Sequence, residues 1–226
     1  RMSNLALFDL DHTLLPIDSD YEWGEFLVRV GAVDETAFRR RNDDFFAQYQ
    51  AGTLDPVEYL EFALGTLARF PRTELNAMHE QFMAEVVKPA IRQRALDLLL
   101  RHLDAGDLVA IITATNHFIT AVSTSGPSAM LKPRSPKMAR ISSITWLTGC
   151  TRPWTSGAGK VLHTHAWLET IGKPLQAFER SHFYSDSHND IPLLSVVTHP
   201  VATNPNAALA AHAANLGWPS LHLFND

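Results

Sequence analysis

The stretch Leu5-Ala6-Leu7-Phe8-Asp9-Leu10-Asp11-His12-Thr13 decides the fold of this chain. Its apolar part, Leu5 to Phe8, predicts a short strand that is buried on both faces. Two carboxylates with one residue between them follow the strand, and Thr13 comes two residues later. In an open parallel sheet, ligands bind in the crevice beyond the carboxyl ends of the strands. The stretch therefore predicts an acidic site suited to Mg²⁺, where one aspartate can also act as a nucleophile.

Length and composition narrow the class of protein. The chain has 226 residues, 46% of them hydrophobic, and a net charge of −5, which predicts one large globular domain or a domain with an insert. No basic stripe, apolar span or signal-peptide pattern is visible, so neither nucleic acid nor a membrane is an expected partner. The single cysteine, Cys150, excludes an intrachain disulfide and is typical of a reducing compartment. We expect a cytoplasmic protein that is a monomer or a homodimer.

Residues 16–88 are predicted to be helical throughout. Apolar side chains recur at helical spacing in four segments, and either Ser19 or Asp20 is expected to cap the first helix. The predicted segments are Trp23–Val30, Phe38–Tyr49, Pro56–Leu67 and Thr73–Val86. Four helices placed directly after a first strand predict a small cap domain at 16–88, with 1–15 and 89–226 forming the catalytic core.

From about residue 91 onward, strand and helix patterns alternate. Buried strands are predicted at Leu108–Thr113, Phe183–Asp186, Pro200–Ala202 and Ser220–Phe224, with helical patterns between them. Such alternation is typical of an α/β fold with a doubly wound parallel sheet.

The stretch 122–159 departs from this pattern. It is rich in Ser, Pro, Lys and Arg, and the chain has no Asp or Glu between Leu108 and Leu168. Neither a strand nor a helix period persists, and a structureless loop of this length is unusual in a compact domain. We interpret the stretch either as a mobile insert or, preferably, as the product of a disrupted reading frame. If the stretch is unfolded, we expect one strand of the sheet and part of the core to be missing and Lys160 to be poorly placed.

Polar side chains follow the other predicted strands at what should be the same sheet edge. Thr113 ends one strand, Asp186 ends another with Asn189 and Asp190 shortly after it, and Lys160 begins a helix. Each has an ordinary structural explanation alone: a strand-end hydroxyl, a helix-capping turn or a surface lysine. Their combination with Asp9 and Asp11 is far more specific.

The combination resembles the haloacid dehalogenase superfamily, in its phosphoserine-phosphatase-like branch with a helical cap after the first motif. Four motifs carry the resemblance: Asp9-Leu10-Asp11-His12-Thr13, Ile112-Thr113-Ala114-Thr115-Asn116, Gly159-Lys160-Val161, and Tyr184-Ser185-Asp186-Ser187-His188-Asn189-Asp190. It implies a HAD-like core and hydrolysis of a small phosphorylated metabolite, with phosphoserine and histidinol phosphate as the substrates known in this branch.

The resemblance also implies roles for individual residues. Asp9 would become the aspartyl-phosphate, and Asp11 would be the general acid and base. Thr113 and Lys160 would bind the phosphoryl group. The implied Mg²⁺ ligands are Asp9, the backbone carbonyl of Asp11 and Asp186, supported by Asn189 or Asp190.

The cap segment is expected to select the substrate. Asp18 and Asp20 are placed to pair with an ammonium group, whereas Arg41 offers a guanidinium for a carboxylate. Asn116 of the second motif is a further candidate substrate ligand. The alternative for each charged residue is a solvated helix face.

Two other functions compete with a phosphatase. A signalling receiver has a similar acidic cluster, but it has no cap and needs no acid such as Asp11. A catalytically impaired relative that binds Mg²⁺ and phosphate would follow from disruption of 122–159. The histidines lack ligand spacing for zinc.

Overall fold

The computed structural model describes residues 4–120, 143–148 and 158–224. Within these ranges six parallel strands form one sheet in the order β3-β2-β1-β4-β5-β6. The strands are β1 (Asn4–Phe8), β2 (Leu108–Thr113), β3 (Thr145–Thr148), β4 (Arg180–Ser185), β5 (His199–Thr203) and β6 (Ser220–Leu221). The order reverses between β1 and β4, so the crevice for a ligand lies at the carboxyl ends of these two strands. The predicted doubly wound parallel sheet is confirmed.

The central strand β1 is buried on both faces. Ala6 and Phe8 pack into one hydrophobic cluster, and Leu5 and Leu7 pack into a second cluster. All four side chains are fully buried, as expected for a parallel strand that is covered by helices on both sides. Because Leu5 to Phe8 carry no polar side chain, the first side chain that can bind a ligand at the carboxyl end of the strand is the carboxylate of Asp9.

Four helices follow β1, as predicted: α1 (Ser19–Arg29), α2 (Glu35–Ala51), α3 (Pro56–Leu67) and α4 (Arg72–Phe82). A π-helical turn (Met83–Val87) and the short α5 (Lys88–Ala90) continue α4. The predicted cap of α1 is wrong: Asp18, and neither Ser19 nor Asp20, accepts the bond from the Tyr21 amide at 2.8 Å. The side chains of Ser19 and Asp20 instead bond to Asp11 and to the backbone N–H of Asn116. The division into a cap at 16–88 and a core stays a prediction.

The remaining helices lie between strands. They are α6 (Gln93–Ala105), α7 (His117–Thr120), α8 (Ala158–Thr170), α9 (Ile191–Leu194) and α10 (Ala207–Leu216), with 3₁₀ turns at Leu175–Ala177 and His188–Asp190. The last strand is shorter than predicted, because the chain after Leu221 turns to Asn204, whose side-chain oxygen accepts a 2.7 Å bond from the Leu223 amide. Among the described residues, no helix is both long and apolar enough to span a membrane.

Part of the stretch 122–159 has regular structure. Thr145–Thr148 forms β3 and pairs in parallel with β2, and Ala158 already belongs to α8. The expectation that this sheet strand is missing is therefore wrong, and Lys160 lies on a regular helix. Residues 121–142 and 149–157 lie outside the described residues. The hypothesis of a disrupted reading frame for them is therefore not tested by the structure.

Candidate active site

The centre of the site is an ion cluster at the carboxyl end of β1. The ammonium of Lys160 donates to Asp9 Oδ1 at 2.8 Å and to Asp190 Oδ2 at 2.6 Å. Asp9, Asp190 and Lys160 are 5%, 3% and 7% exposed, so water screens their charges weakly. Burial would lower the pKa of Lys160, but the carboxylates of Asp190 and Asp9 outweigh it and raise that pKa above its ordinary value. The lysine is a fixed cation beside the predicted nucleophile.

The end of β4 supplies the second side of the site. Asp186 receives a hydrogen bond from the Thr13 hydroxyl on its Oδ1 at 3.2 Å, and its amide donates back to the same hydroxyl at 3.0 Å. Ser185 donates to Asp190 Oδ2 at 2.6 Å, the oxygen that also binds Lys160. Thr13 therefore holds the first motif against the fourth, while Asp190 orients the lysine.

A left-handed residue shapes the loop between Asp11 and Leu15. His12 has φ 55°, and the amides of Thr13, Leu14 and Leu15 all donate to the carbonyl of Leu10. Asn204, after β5, donates its side-chain amide to the carbonyls of His12 and Thr13 at 3.1 Å each. Sequence reasoning missed Asn204, because one asparagine after a strand carries no distinctive signal.

Asp11 has two chemically different oxygens. Oδ2 accepts the hydroxyls of Thr115 at 2.7 Å and Ser19 at 3.0 Å. Oδ1 is buried and has no hydrogen-bond partner among the described residues. Burial, with the carboxylate of Asp18 adding to it, raises the pKa of Asp11 to about 7. A carboxyl whose pKa lies near 7 can both give and take a proton near that pH, which suits a general acid and base.

Thr113 lies where the second motif was predicted to bind phosphate. Its buried hydroxyl accepts the amide of Thr115 at 3.1 Å and lies 2.8 Å from the Thr115 hydroxyl. The side chain of Thr113 is thus already part of the network around Asp11. Its role toward a phosphoryl oxygen stays a prediction.

The donor set fits a hard divalent cation. Burial raises the pKa of Asp9 to about 6 against the opposing charge of Lys160, and burial together with Asp9 raises the pKa of Asp186 well above its ordinary value. Within the described ranges, no three His, Cys, Asp or Glu side chains are grouped to hold a metal by themselves. A cation here would need backbone or water oxygens as well as the carboxylates, as Mg²⁺ ordinarily does. The excess of carboxylates over Lys160 agrees with such an ion.

Two of the predicted substrate ligands, Asp18 and Asp20, lie near these carboxylates. Burial raises the pKa of Asp18 to about 6, and burial with repulsion from Asp18 and Asp11 raises that of Asp20 well above its ordinary value. Both carboxylate oxygens of Asp20 accept the backbone N–H of Asn116 at 3.3 Å. The side chain of Asn116 accepts the amide of Phe118 at 2.8 Å, so it caps α7. An ammonium group would relieve the repulsion among these acids.

The structure adds Tyr49 of α2 to the site. Burial and the carboxylates of Asp9 and Asp190 raise the pKa of its hydroxyl well above the ordinary value. The end of α2 also lies close to the fourth motif: a Cβ atom built on Gly52 would be 3.8 Å from Asn189 Oδ1. Sequence reasoning read Tyr49 as one more apolar position of a helix, so nothing singled it out.

Arg41 is already paired elsewhere. Its guanidinium binds Glu58 and lies 4.5 Å above the ring of Phe45. Arg39 likewise binds Glu25 and Glu35. The predicted contact between Arg41 and a substrate carboxylate stays a prediction, and it would require this pairing to break.

Comparison with known proteins agrees with the geometry. The family model for haloacid dehalogenase-like hydrolases matches residues 6–195. A relative from Neisseria meningitidis serogroup C named histidinol-phosphatase is 38% identical, over 98% of this chain and 99% of its own length. A structure of a protein of unknown function from Bordetella pertussis Tohama I is 40% identical with a TM-score of 0.82, covering 99% of this chain and all of that one.

A more distant structure shows the fold alone. It is a phospho-aspartyl intermediate analogue of phosphoserine phosphatase, 12% identical with a TM-score of 0.59, covering 100% of this chain and 96% of that one. The family model covers most of the chain and includes all four motifs around Asp9, Thr113, Lys160 and Asp186. The chain is a hydrolase and belongs to the haloacid dehalogenase-like family.

Proposed function

We propose that this hydrolase is a Mg²⁺-dependent phosphomonoesterase that forms an aspartyl-phosphate on Asp9. The observation that carries the proposal is the 2.8 Å contact between Lys160 Nζ and Asp9 Oδ1, at the carboxyl end of the central strand. A carboxylate that is buried beside a fixed cation stays ionised more readily next to a negatively charged phosphate ester. Positioning and cationic charge are the main means of stabilising a phosphoryl-transfer transition state.

The reaction has two steps. In the first, an oxygen of Asp9 forms a bond to phosphorus while the ester P–O bond breaks, and Asp11 gives its proton to the leaving alkoxide. In the second, Asp11 takes a proton from water as the water attacks phosphorus, and the bond from phosphorus to Asp9 breaks to release phosphate. Lys160 holds the nucleophile throughout, and Thr113 is the candidate donor to a phosphoryl oxygen, for which its hydroxyl would turn away from Thr115 Oγ1 at 2.8 Å.

The Mg²⁺ ligands we propose are the side chains of Asp9 and Asp186 with the backbone carbonyl of Asp11. Mg²⁺ bound there would neutralise charge on the phosphoryl oxygens and favour the ionised form of Asp9. Asn189 supports the set from the loop that contacts the end of α2. Asp190 acts mainly through Lys160, because its Oδ2 already binds both that ammonium and the Ser185 hydroxyl.

The substrate we propose is a small amine-bearing phosphate ester, with histidinol phosphate as the first candidate. Two features support it: the similar protein of Neisseria meningitidis carries the name histidinol-phosphatase, and Asp18 and Asp20 form an acidic pair beside the site. Phosphoserine is the second candidate, but its carboxylate calls for a guanidinium, and Arg41 is occupied by Glu58. A catalytically impaired protein is disfavoured, because Lys160 reaches Asp9.

The test is hydrolysis of p-nitrophenyl phosphate with Mg²⁺ and after chelation, with Asp9→Asn as the variant. We expect turnover that requires both the metal and Asp9, followed by a higher kcat/KM for histidinol phosphate than for phosphoserine. Turnover by well-folded Asp9→Asn would overturn the aspartyl-phosphate. A preference for phosphoserine would overturn only the substrate assignment. The cytoplasmic location and the choice between monomer and homodimer stay predictions.

A further inference from the structure

The two oxygens of Asp11 have unequal surroundings. Oδ2 accepts two hydroxyls, from Ser19 and Thr115, whereas Oδ1 accepts none from the described residues and is shielded from solvent. Hydrogen bonds to a charged acceptor are stronger than those between neutral groups, so Oδ2 is the better place for negative charge. The proton of the neutral carboxyl then belongs on Oδ1.

The hydroxyl protons can be assigned along this network. Thr115 has one hydroxyl proton, and the 2.7 Å contact with Asp11 Oδ2 uses it. In the 2.8 Å contact between the two threonines, Thr113 must therefore be the donor. The oxygen of Thr113 accepts the amide of Thr115 at 3.1 Å, which fixes its direction. The chain of donors runs from Thr113 through Thr115 to Asp11.

The two donors to Asp11 come from separate parts of the chain. Ser19 is the first residue of α1, eight positions after Asp11, and Thr115 follows β2, 104 positions after it. Ser19 is 0% exposed and Thr115 1% exposed, so neither hydroxyl has water as a competing partner. Two buried hydroxyls that converge on one carboxylate oxygen restrict its rotation about the Cβ–Cγ bond.

We propose that Ser19 and Thr115 are positioning residues that fix the Asp11 carboxyl through Oδ2 and leave Oδ1, which has no partner among the described residues, to carry the proton for the leaving group. The inference rests on the proposed function, in which Asp11 protonates the leaving alkoxide. The P–O bond breaks with its electron pair on the ester oxygen, and that oxygen takes the proton from Oδ1. The carboxylate that remains is stabilised at Oδ2 by the two hydroxyls. Without them, the carboxyl can rotate and lose the geometry for proton transfer.

The test compares substrates whose leaving groups differ in their need for a proton. An aryl oxide such as p-nitrophenolate leaves without protonation, whereas an alkoxide requires it. The ratio kcat/KM reports the steps up to release of the alcohol. We expect Thr115→Val and Ser19→Ala each to lower kcat/KM for an alkyl phosphate by about 10- to 100-fold, part of the usual effect of a general acid. For p-nitrophenyl phosphate we expect a loss of less than about threefold by the same reasoning.

Three further variants make the test specific. Thr115→Ser restores the hydroxyl and should restore the alkyl phosphate activity. Thr203→Val removes a buried hydroxyl whose one bond within the described ranges goes to the carbonyl of Val201, and it should leave both activities unchanged. Asp11→Asn should show the same selective loss as Thr115→Val, only larger. Thermal unfolding of each variant confirms that it is folded.

The outcomes separate the inference from the function on which it rests. A selective loss in Asp11→Asn together with an equal loss on both substrates, or no loss, in Thr115→Val and Ser19→Ala overturns the positioning role alone. An Asp11→Asn variant that loses both substrates equally overturns the general-acid role itself. Failure of Thr115→Ser to recover the alkyl phosphate activity also contradicts the inference.

Discussion

Charged side chains are used in opposite ways at the carboxyl ends of the strands, called the carboxyl edge here, and at their amino ends, called the amino edge. At the carboxyl edge, Asp9, Asp186 and Asp190 lie around one cation, Lys160, and the Oδ1 atom of the nearby Asp11 has no partner among the described residues. At the amino edge, Asp107 accepts Asn4 Nδ2 on one oxygen at 3.0 Å and pairs with His102 Nδ1 on the other at 2.7 Å. At the carboxyl edge the carboxylates outnumber the cation, whereas at the amino edge both oxygens of the carboxylate have partners.

The amino edge continues as a network that reaches into the sheet. His102 Nε2 contacts the Tyr184 hydroxyl at 2.8 Å, and the Tyr184 ring stacks on Phe8 at 4.7 Å between centroids. Since both oxygens of Asp107 and both ring nitrogens of His102 have partners, a ligand has little to gain there. The difference indicates that excess carboxylate charge at one end of the strands marks a binding site, whereas paired charge at the other end contributes to stability, even though Asn4 Oδ1 there has no partner among the described residues.

The largest predicted effect comes from removing the cation of the carboxyl edge. Lys160→Met leaves the buried carboxylates of Asp9 and Asp190 without a partner. We expect a loss of about 3–5 kcal/mol in the free energy of unfolding, as for a broken buried ion pair. We also expect kcat/KM for p-nitrophenyl phosphate to fall by about 100- to 1000-fold, because a preorganised charge is lost. Chemical denaturation and steady-state kinetics measure the two effects.

Lys88→Met, at an exposed lysine of α5, is the matched control and should change neither quantity. Lys160→Arg retains the charge and should lose less stability than Lys160→Met. If Lys160→Met were as stable as the wild type, the ion cluster would not be holding the first and fourth motifs together.

The sequence predicted the groups that carry formal charge far better than the groups that orient them. Asp9 and Asp186 could be predicted because short strands precede them and a parallel sheet brings strand ends together. Ser19 and Thr115 could not, because a serine or threonine hydroxyl is common and its partner Asp11 is set by tertiary packing over as many as 104 positions.

The strand β3 was missed for a different reason. Thr145–Thr148 is only four residues long and has a threonine at each end, so it shows neither a buried run nor a clear alternation. Its pairing with β2 positions Trp146 opposite Ile111, a contact that no local pattern encodes. Short edge strands depend on their neighbour more than on their own propensity.

An intermediate effect is predicted at the amino edge. Tyr184→Phe removes the hydroxyl that meets His102 and keeps the ring that stacks on Phe8. We expect the free energy of unfolding to fall by about 1 kcal/mol, the usual size for one hydrogen bond. We expect kcat/KM to stay within about twofold of the wild type, because the variant loses only the contact with His102 and keeps the Tyr184 carbonyl that accepts the Asp9 amide at 2.9 Å. Denaturation with parallel kinetics tests both.

A clear loss of activity in folded Tyr184→Phe would break the comparison, because it would couple the two edges through β4. An unchanged stability would show that the His102 contact adds nothing beyond packing. Either result changes the assignment of the amino edge as a stabilising network.

The last prediction, a change in stability that develops only as the pH falls, distinguishes the two edges. His182 of β4 packs between the rings of His102, at 5.1 Å, and His199, at 4.7 Å. Burial, then repulsion from the charged forms of these two neighbours, lowers the pKa of His182 to about 4, with Asp107 opposing and Arg180 adding to the shift. An unfolded chain would take up the proton near the ordinary pKa of about 6.5.

Between pH 6.5 and 4 the unfolded state therefore binds the proton of His182 and the folded state does not, so this residue lowers stability as the pH falls. At the carboxyl edge the dependence of stability on pH has the opposite sign in the metal-free protein, because the raised pKa values of Asp9 and Asp11 make the folded state the better proton acceptor below pH 7.

His182→Gln removes only the effect of His182. Relative to the wild type it should gain roughly 1 kcal/mol between pH 7 and pH 5, a value reduced for the partial exposure of the ring. Urea denaturation at the two pH values measures this gain, with the exposed His222→Gln as control, and an equal response of the two variants would remove His182 from the account of the amino edge.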